Sequence, residues 1–190
     1  VTNRCEVICL DVHGMANGND GPFVNEGKYL ADNGKPALQV AKTDADIIWT
    51  LNMIDECGVF PHNITSCSVM IIGDQIWTST SNGVDYGHVE TPAPNAPSLI
   101  VVDKKTGKLI GEEASGCSER IFHSNWSSPA FLKTDDTELA IFGGPDGVLY
   151  AFEPKPVKDD DGFLVLREAW QFDCNPKSYR QKDDGTLRKY

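Results

Sequence analysis

Two phrases of this chain place an aromatic residue before a histidine and open an apolar run four residues after it. They are GVFPHNITSCS at Gly58–Ser68, with Phe60, His62 and Ser66, and RIFHSNWSSPA at Arg120–Ala130, with Phe122, His123 and Ser127. A third histidine, His88, lies between them in SNGVDYGHVETPAPNAPS. Imidazole changes charge near neutral pH and is the commonest side-chain ligand for transition metals. If His62, His88 and His123 converge, they can bind a metal ion or an anionic ligand. The same recurrence has a structural reading, in which each ring hydrogen-bonds a loop carbonyl and fixes the crossover between equivalent sheets. Convergence of the ring nitrogens separates the two readings.

A second chemistry is suggested by NGNDG, where the alternating oxygens of Asn17, Asn19 and Asp20 suit a hard cation such as calcium. The distal bidentate Glu of a full calcium loop is absent from its proper spacing, so a plain turn fits the same residues. KDDDG at Lys158–Gly162 is an acidic run that reads as a solvated hairpin tip. The six cysteines, Cys5, Cys9, Cys57, Cys67, Cys117 and Cys174, form no CxxC pair and match no zinc module. Cys57 and Cys117 precede Ser66 and Ser127 at matching distances and so occupy similar crossover loops. A bridge between them needs Cα atoms within about 7 Å, and Cys57 with Cys67 is the local competitor. Asn63-Ile64-Thr65 and Asn125-Trp126-Ser127 match the glycosylation sequon. No Ser/His/Asp or Cys/His catalytic arrangement can be built from the order of the residues.

The elements that must position these residues are strands. Apolar runs are short, rich in Val, Ile, Phe and Trp, and punctuated by Gly, Asp, Asn and Pro, with no sustained helical period. IIWTLN, LIGEEA and EAWQFD bring Trp49, Gly111 and Trp170 into register at steps of roughly sixty residues, longer than the roughly 40–50 of a compact four-stranded propeller blade. Residues 66–113 divide into four strands, CSVMII, QIWTSTS, SLIVVD and KLIGEE. Residues 127–173 repeat the plan with SSPAFLK, ELAIFGG, GVLYAFE and FLVLREAWQFD. Residues 1–53 supply only a last pair, EVICLDV and DIIWTLN, and 174–190 begin a further segment. Gly107 falls where the DKKTGK hairpin needs positive φ. Trp49 and Trp170 are expected to be buried at equivalent positions, whereas Trp126, beside His123, suits either a core or a stacked ligand. In such up-and-down units the loops before first strands and after second strands share a face, which groups His62, His88 and His123.

The strand–DKKTGK–strand–Trp grammar resembles the blades of pyrroloquinoline-quinone-like β-propellers, found in quinoprotein dehydrogenases and in many non-catalytic proteins of the bacterial envelope. LDVHGMANGNDGPF, GVFPHN, TSNGVDYGHVETPAPNAPSLIVVDKKTGKL, WSSPAF, DGVLYAFEPK and FDCNP are similar to one subgroup of large environmental-bacterial propeller proteins. The resemblance implies an all-β fold, a β-propeller segment of four-stranded antiparallel blades with two complete blades and parts of others. Gly111 departs from the pattern, standing where these repeats carry a Trp, and looser packing is expected there. Catalytic members resemble one another in paired cysteines over the quinone and a calcium site beside it. No Cys-Cys pair occurs here, which argues against pyrroloquinoline quinone binding in this segment. The resemblance therefore implies a non-catalytic scaffold or binding module, periplasmic or at the cell surface. Its alternative is a fragment of a quinone-dependent dehydrogenase whose cofactor residues lie elsewhere.

Composition narrows the partners. The chain carries 17 Lys plus Arg against 28 Asp plus Glu, a formal charge of −11, so nucleic acid and anionic membranes are disfavoured. Its longest apolar runs are strand-sized, short of the roughly 20 residues of a transmembrane helix. The opening VTNRCEVICLD reads as a mature or internal start. Two and a half blades cannot close a ring, so the expected partners are the remaining blades, in the same chain or another, together with protein ligands.

Overall fold

The computed structural model describes residues 1–186 and is mostly sheet, with 33% strand and 11% helix. Strands β1 (Glu6–Leu10) and β2 (Ile47–Asn52) pair antiparallel, and the insertion between them carries the one-turn helix α1 (Glu26–Tyr29). A second short helix, α2 (Met53–Cys57), follows β2 directly. The Asn52 side chain caps it by accepting from Ile54 N–H at 3.0 Å, and Gly58 ends it at φ 65°.

Strands β3 (Met70–Ile72), β4 (Gln75–Ser79), β5 (Leu99–Asp103) and β6 (Leu109–Glu113) form an antiparallel meander in sequence order. Strands β7 (Ala130–Lys133), β8 (Glu138–Gly143) and β9 (Val148–Phe152) begin the next sheet, which β12 (Glu168–Asp173) completes against β9. The segment between β9 and β12 forms a small hairpin, β10 (Val157–Lys158) and β11 (Leu164–Leu166), and a last turn of helix, α3 (Lys177–Arg180), follows β12. The sheet over residues 127–173 has the four strands expected, in the order β12-β9-β8-β7, whereas the one over 66–113 is extended to six, in the order β10-β11-β6-β5-β4-β3. FLVLREAWQFD, however, is not one strand: β11 leaves its own sheet and pairs parallel with β6.

Strand alternation explains how the sheets stack. Along β4 and β5, Trp77, Leu99 and Val101 face a core shared with Ala140, Phe142, Tyr150 and Phe152 of the third sheet. Their alternates Ile76, Ile100 and Val102 face Val7, Trp49 and Leu51 of the first. LIVV is therefore covered on both sides, which is why it reads as a continuous apolar run instead of an alternating one. Burying each such side chain contributes about 1.5–3 kcal/mol.

The contact between consecutive sheets repeats. Trp49 lies on the β5–β6 hairpin of the next sheet, where its Nε1–H donates to the Lys104 carbonyl at 3.1 Å. Gly107, at φ +71°, leaves room for the indole, since a Cβ there would fall 2.5 Å from the Trp49 ring. At the next step the pattern inverts. Gly111 is buried, and a Cβ on it would meet the Pro156 ring at 2.8 Å, with Leu166 at 3.4 Å. The looser packing expected at Gly111 is therefore not found, because the proline of EPKPV fills the space a Trp would take. Trp170 also departs from expectation: it is 40% exposed, on a β12 whose residues are all exposed. The described residues supply no following hairpin to cover it.

All six cysteines are free thiols, so neither Cys57–Cys117 nor Cys57–Cys67 is bridged. Cys117 is buried, and desolvation pushes its thiol well above the ordinary range, helped by the neighbouring Glu113 carboxylate. Cys57 is pushed up to about 12, chiefly by burial. Both are packing residues rather than reactive thiols. Among the described residues no helix is long and apolar enough to cross a membrane.

Candidate metal centre

Three segments without regular structure build the site. The stretch from Ser81 to Val84, which leaves β4, runs between the two aromatic–histidine phrases and bonds to both. His62 N–H donates to Ser81 O at 3.2 Å and Gly83 N–H to Phe60 O at 2.9 Å. On the other side Val84 N–H donates to His123 O at 2.9 Å and Asn125 N–H to Asn82 O at 3.2 Å. Two buried amides lock the crossing: Asn82 accepts from Phe60 N–H at 2.9 Å and donates to Ala93 O at 2.8 Å, while Asn125 donates to Ser98 O. The second sequon is thus closed, with Asn125 only 1% exposed and its amide already bonded.

Gly83 makes the approach feasible. A Cβ there would lie 2.6 Å from the His62 Cβ, 2.8 Å from the His123 carbonyl and 3.0 Å from the Ser124 Cβ. Gly83→Ala is expected to push the two histidine segments apart, lowering stability by about 1–3 kcal/mol and weakening metal binding in parallel. Thermal melts with and without zinc check both effects.

The resulting geometry is compact. One ring nitrogen from each of His62, His88 and His123 lies within 4.8 Å of the others. Ring centroids are 4.4 Å apart for His62–His123 and 4.7 Å for both pairs with His88. His62 is fully buried, His123 half-buried and His88 exposed, so the cluster runs from the interior to the surface. His62 Nδ1 lies 2.8 Å from the Val84 carbonyl, which can only accept; in the neutral ring Nδ1 therefore carries the proton and Nε2 the lone pair. That Nε2 is buried and has no hydrogen-bond partner. A lone pair fixed in tautomer by a backbone carbonyl is the arrangement of a metal-bound histidine.

The exposed histidine is held by a different device. Asp85 accepts backbone N–H groups from Gly87, Val89 and Glu90, which hold its carboxyl below the usual range, and the turn it organises presents His88 at φ 56°. Of the four non-glycine residues with positive φ among those described, Asn63, Ser81 and His88 lie in these loops. Such conformations cost on the order of 1 kcal/mol each and gather at ligand clamps. Trp126, its ring 5.4 Å from that of His123 and its Nε1–H on Ile64 O at 3.1 Å, walls one side; it is 40% exposed and not a core residue.

Burial, then the neighbouring His62 and His88, lowers the His123 pKa below its usual value. The ring is therefore neutral at pH 7, with a lone pair to give. Acid protons compete with metal for the His123 nitrogen, so affinity should fall by roughly tenfold per unit once pH drops below its lowered value. Without metal, the unfolded chain binds the His123 proton more tightly than the folded one. The stabilisation from a neutral His123 is then complete above about pH 6.5 and lost as pH falls through the lowered value. Zinc titrations from pH 7.5 to 5.5 measure the first effect and acid melts the second.

The other expected residues are only partly gathered. Asp20 joins one oxygen each of Asp11 and Asp46 within 4.8 Å. The Asn17 amide instead donates to Asp20 Oδ2 at 2.7 Å and the Asn19 amide to Glu26 Oε2 at 2.8 Å, so the loop does not wrap a cation with its own alternating oxygens. Asp11 and Asp46 had a legible signal, since EVICLD ends and DIIWTLN begins on an Asp and the two strands pair. Gly83 and Asn82 had none beyond being turn residues.

Comparison with known proteins gave no match to a family model, to a curated protein or to a solved structure.

Proposed function

We propose that this chain is a binding module, a segment of a β-propeller whose loop face holds a divalent transition metal on His62, His88 and His123. The observation that carries the reading is the buried, partnerless His62 Nε2, fixed by Val84 and grouped with two further imidazoles. Three nitrogens favour zinc, copper, nickel or iron over magnesium or calcium. Three protein ligands also leave a coordination position for water or for a donor from a bound molecule. The module would thus present a metal-tethered docking point at its surface, and His88 and Trp126, both exposed, form its rim.

The propeller reading is supported by three stacked sheets, by the recurring contact of Trp49 with Gly107 and Gly111 with Pro156, and by the uncovered Trp170. A following sheet would cover Trp170 as the second covers Trp49. Titration of chelator-stripped protein with Zn2+ tests the binding function: one ion per chain is expected, with His88→Ala and His123→Ala each weakening it by about 100-fold or more. Equal affinity in wild type and both variants would refute it.

A further inference from the structure

Independently of the histidine centre, we infer that the open end of the β1–β2 hairpin is a calcium site built from Asp11, Asp20 and Asp46. Asp11 directly follows β1 and Asp46 directly precedes β2. The Leu10–Ile47 pairing and the Asp11 N–H to Asp46 O bond at 3.0 Å place the two acids opposite each other. The insertion folds back so that Asp20 N–H donates to Asp46 Oδ2 at 2.8 Å. Gly21 makes this return close, since a Cβ there would sit 2.9 Å from Ile48.

Three carboxylates standing within 4.8 Å of one another repel, and none of them pairs with a Lys or Arg among the described residues. The independent observation is Asp46 itself: it is 0% exposed, belongs to the cluster, and its Oδ1 is buried without a partner. A buried carboxylate with a partnerless oxygen, grouped with two further carboxylates, is stabilised by a cation. An all-oxygen anionic set selects a hard ion. A calcium shell at about 2.4 Å spans the observed separations, with waters completing six to eight ligands on the exposed Asp20 side. The two centres therefore differ in the ions they select: nitrogen ligands on the loop face and oxygen ligands at the hairpin end.

Calorimetry and thermal melts of chelator-treated protein with CaCl2 test the site. One calcium ion is expected, with a melting point raised by roughly 5–10 °C at a hundredfold excess over Kd. Asp46→Asn should weaken calcium binding at least 100-fold and melt in chelator no lower than wild type, because it removes one of three mutually repelling charges. Asp20→Asn, on the exposed side, should weaken binding without loss of fold and serves if Asp46→Asn does not fold. His62→Ala should keep the calcium response. A wild-type melting point unmoved by calcium overturns the site, as does an unchanged calcium response in the variants. Either result would leave Asp46 a purely structural residue.

Discussion

His62→Ala is expected to reduce transition-metal affinity by at least about 100-fold. Loss of an outer partner alone typically costs 10–100-fold, and His62 would be a ligand, the most rigid of the three. It is fully buried, its tautomer is set by Val84, and its backbone is paired to Ser81. The substitution also leaves the Val84 carbonyl without its donor, costing about 1–3 kcal/mol of stability whether or not a metal is bound. His88→Ala separates these effects. His88 is exposed, so removing it should spare the fold while still opening the coordination shell. If both variants bind zinc as wild type does and only His62→Ala loses stability, the histidines are crossover struts. Isothermal titration beside chemical denaturation measures the two quantities on the same samples.

Trp49→Ala is expected to destabilise the chain by about 3–5 kcal/mol, the usual range for truncating a buried aromatic. Its indole is 4% exposed, packs against Gly107 and donates to Lys104, so truncation opens a cavity between two sheets and strands a carbonyl. Trp170→Ala, at the repeat-equivalent position, should change stability by less than about 1 kcal/mol in this chain because that ring is 40% exposed. Urea unfolding of the pair gives the contrast directly. In a longer chain that supplies the next sheet, the Trp170 effect should rise towards that of Trp49.

Much of this was legible in the sequence, and for a definite reason. The strand alternation, the DKKTGK hairpin and the roughly sixty-residue period follow from local chemistry, so β3 to β6 and β7 to β9 with β12 fall where expected, while the two strands that β10 and β11 add to the first of these sheets do not. The grouping of His62, His88 and His123 was readable because loops before first strands and after second strands emerge on one side of such sheets. What escaped depends on contacts between distant segments. Nothing in FLVLREAWQFD marks the point where β11 crosses to β6, since that pairing depends on the space beside Gly111 that Pro156 and Leu166 occupy. Trp170 looked like Trp49 because the residues around them are alike, while burial depends on what lies opposite. The aspartate cluster was half seen: NGNDG identified Asp20, and the Asp residues that flank β1 and β2, Asp11 and Asp46, were there to be read, but only the pairing of the two strands brings them beside it.

The most direct test of the metal centre is X-ray absorption at the zinc edge of protein loaded with one equivalent of Zn2+. Three imidazole nitrogens at about 2.0–2.1 Å with one further light ligand are expected, and no sulfur. A shell containing sulfur at about 2.3 Å, or one with fewer than two imidazoles, would contradict the assignment to His62, His88 and His123.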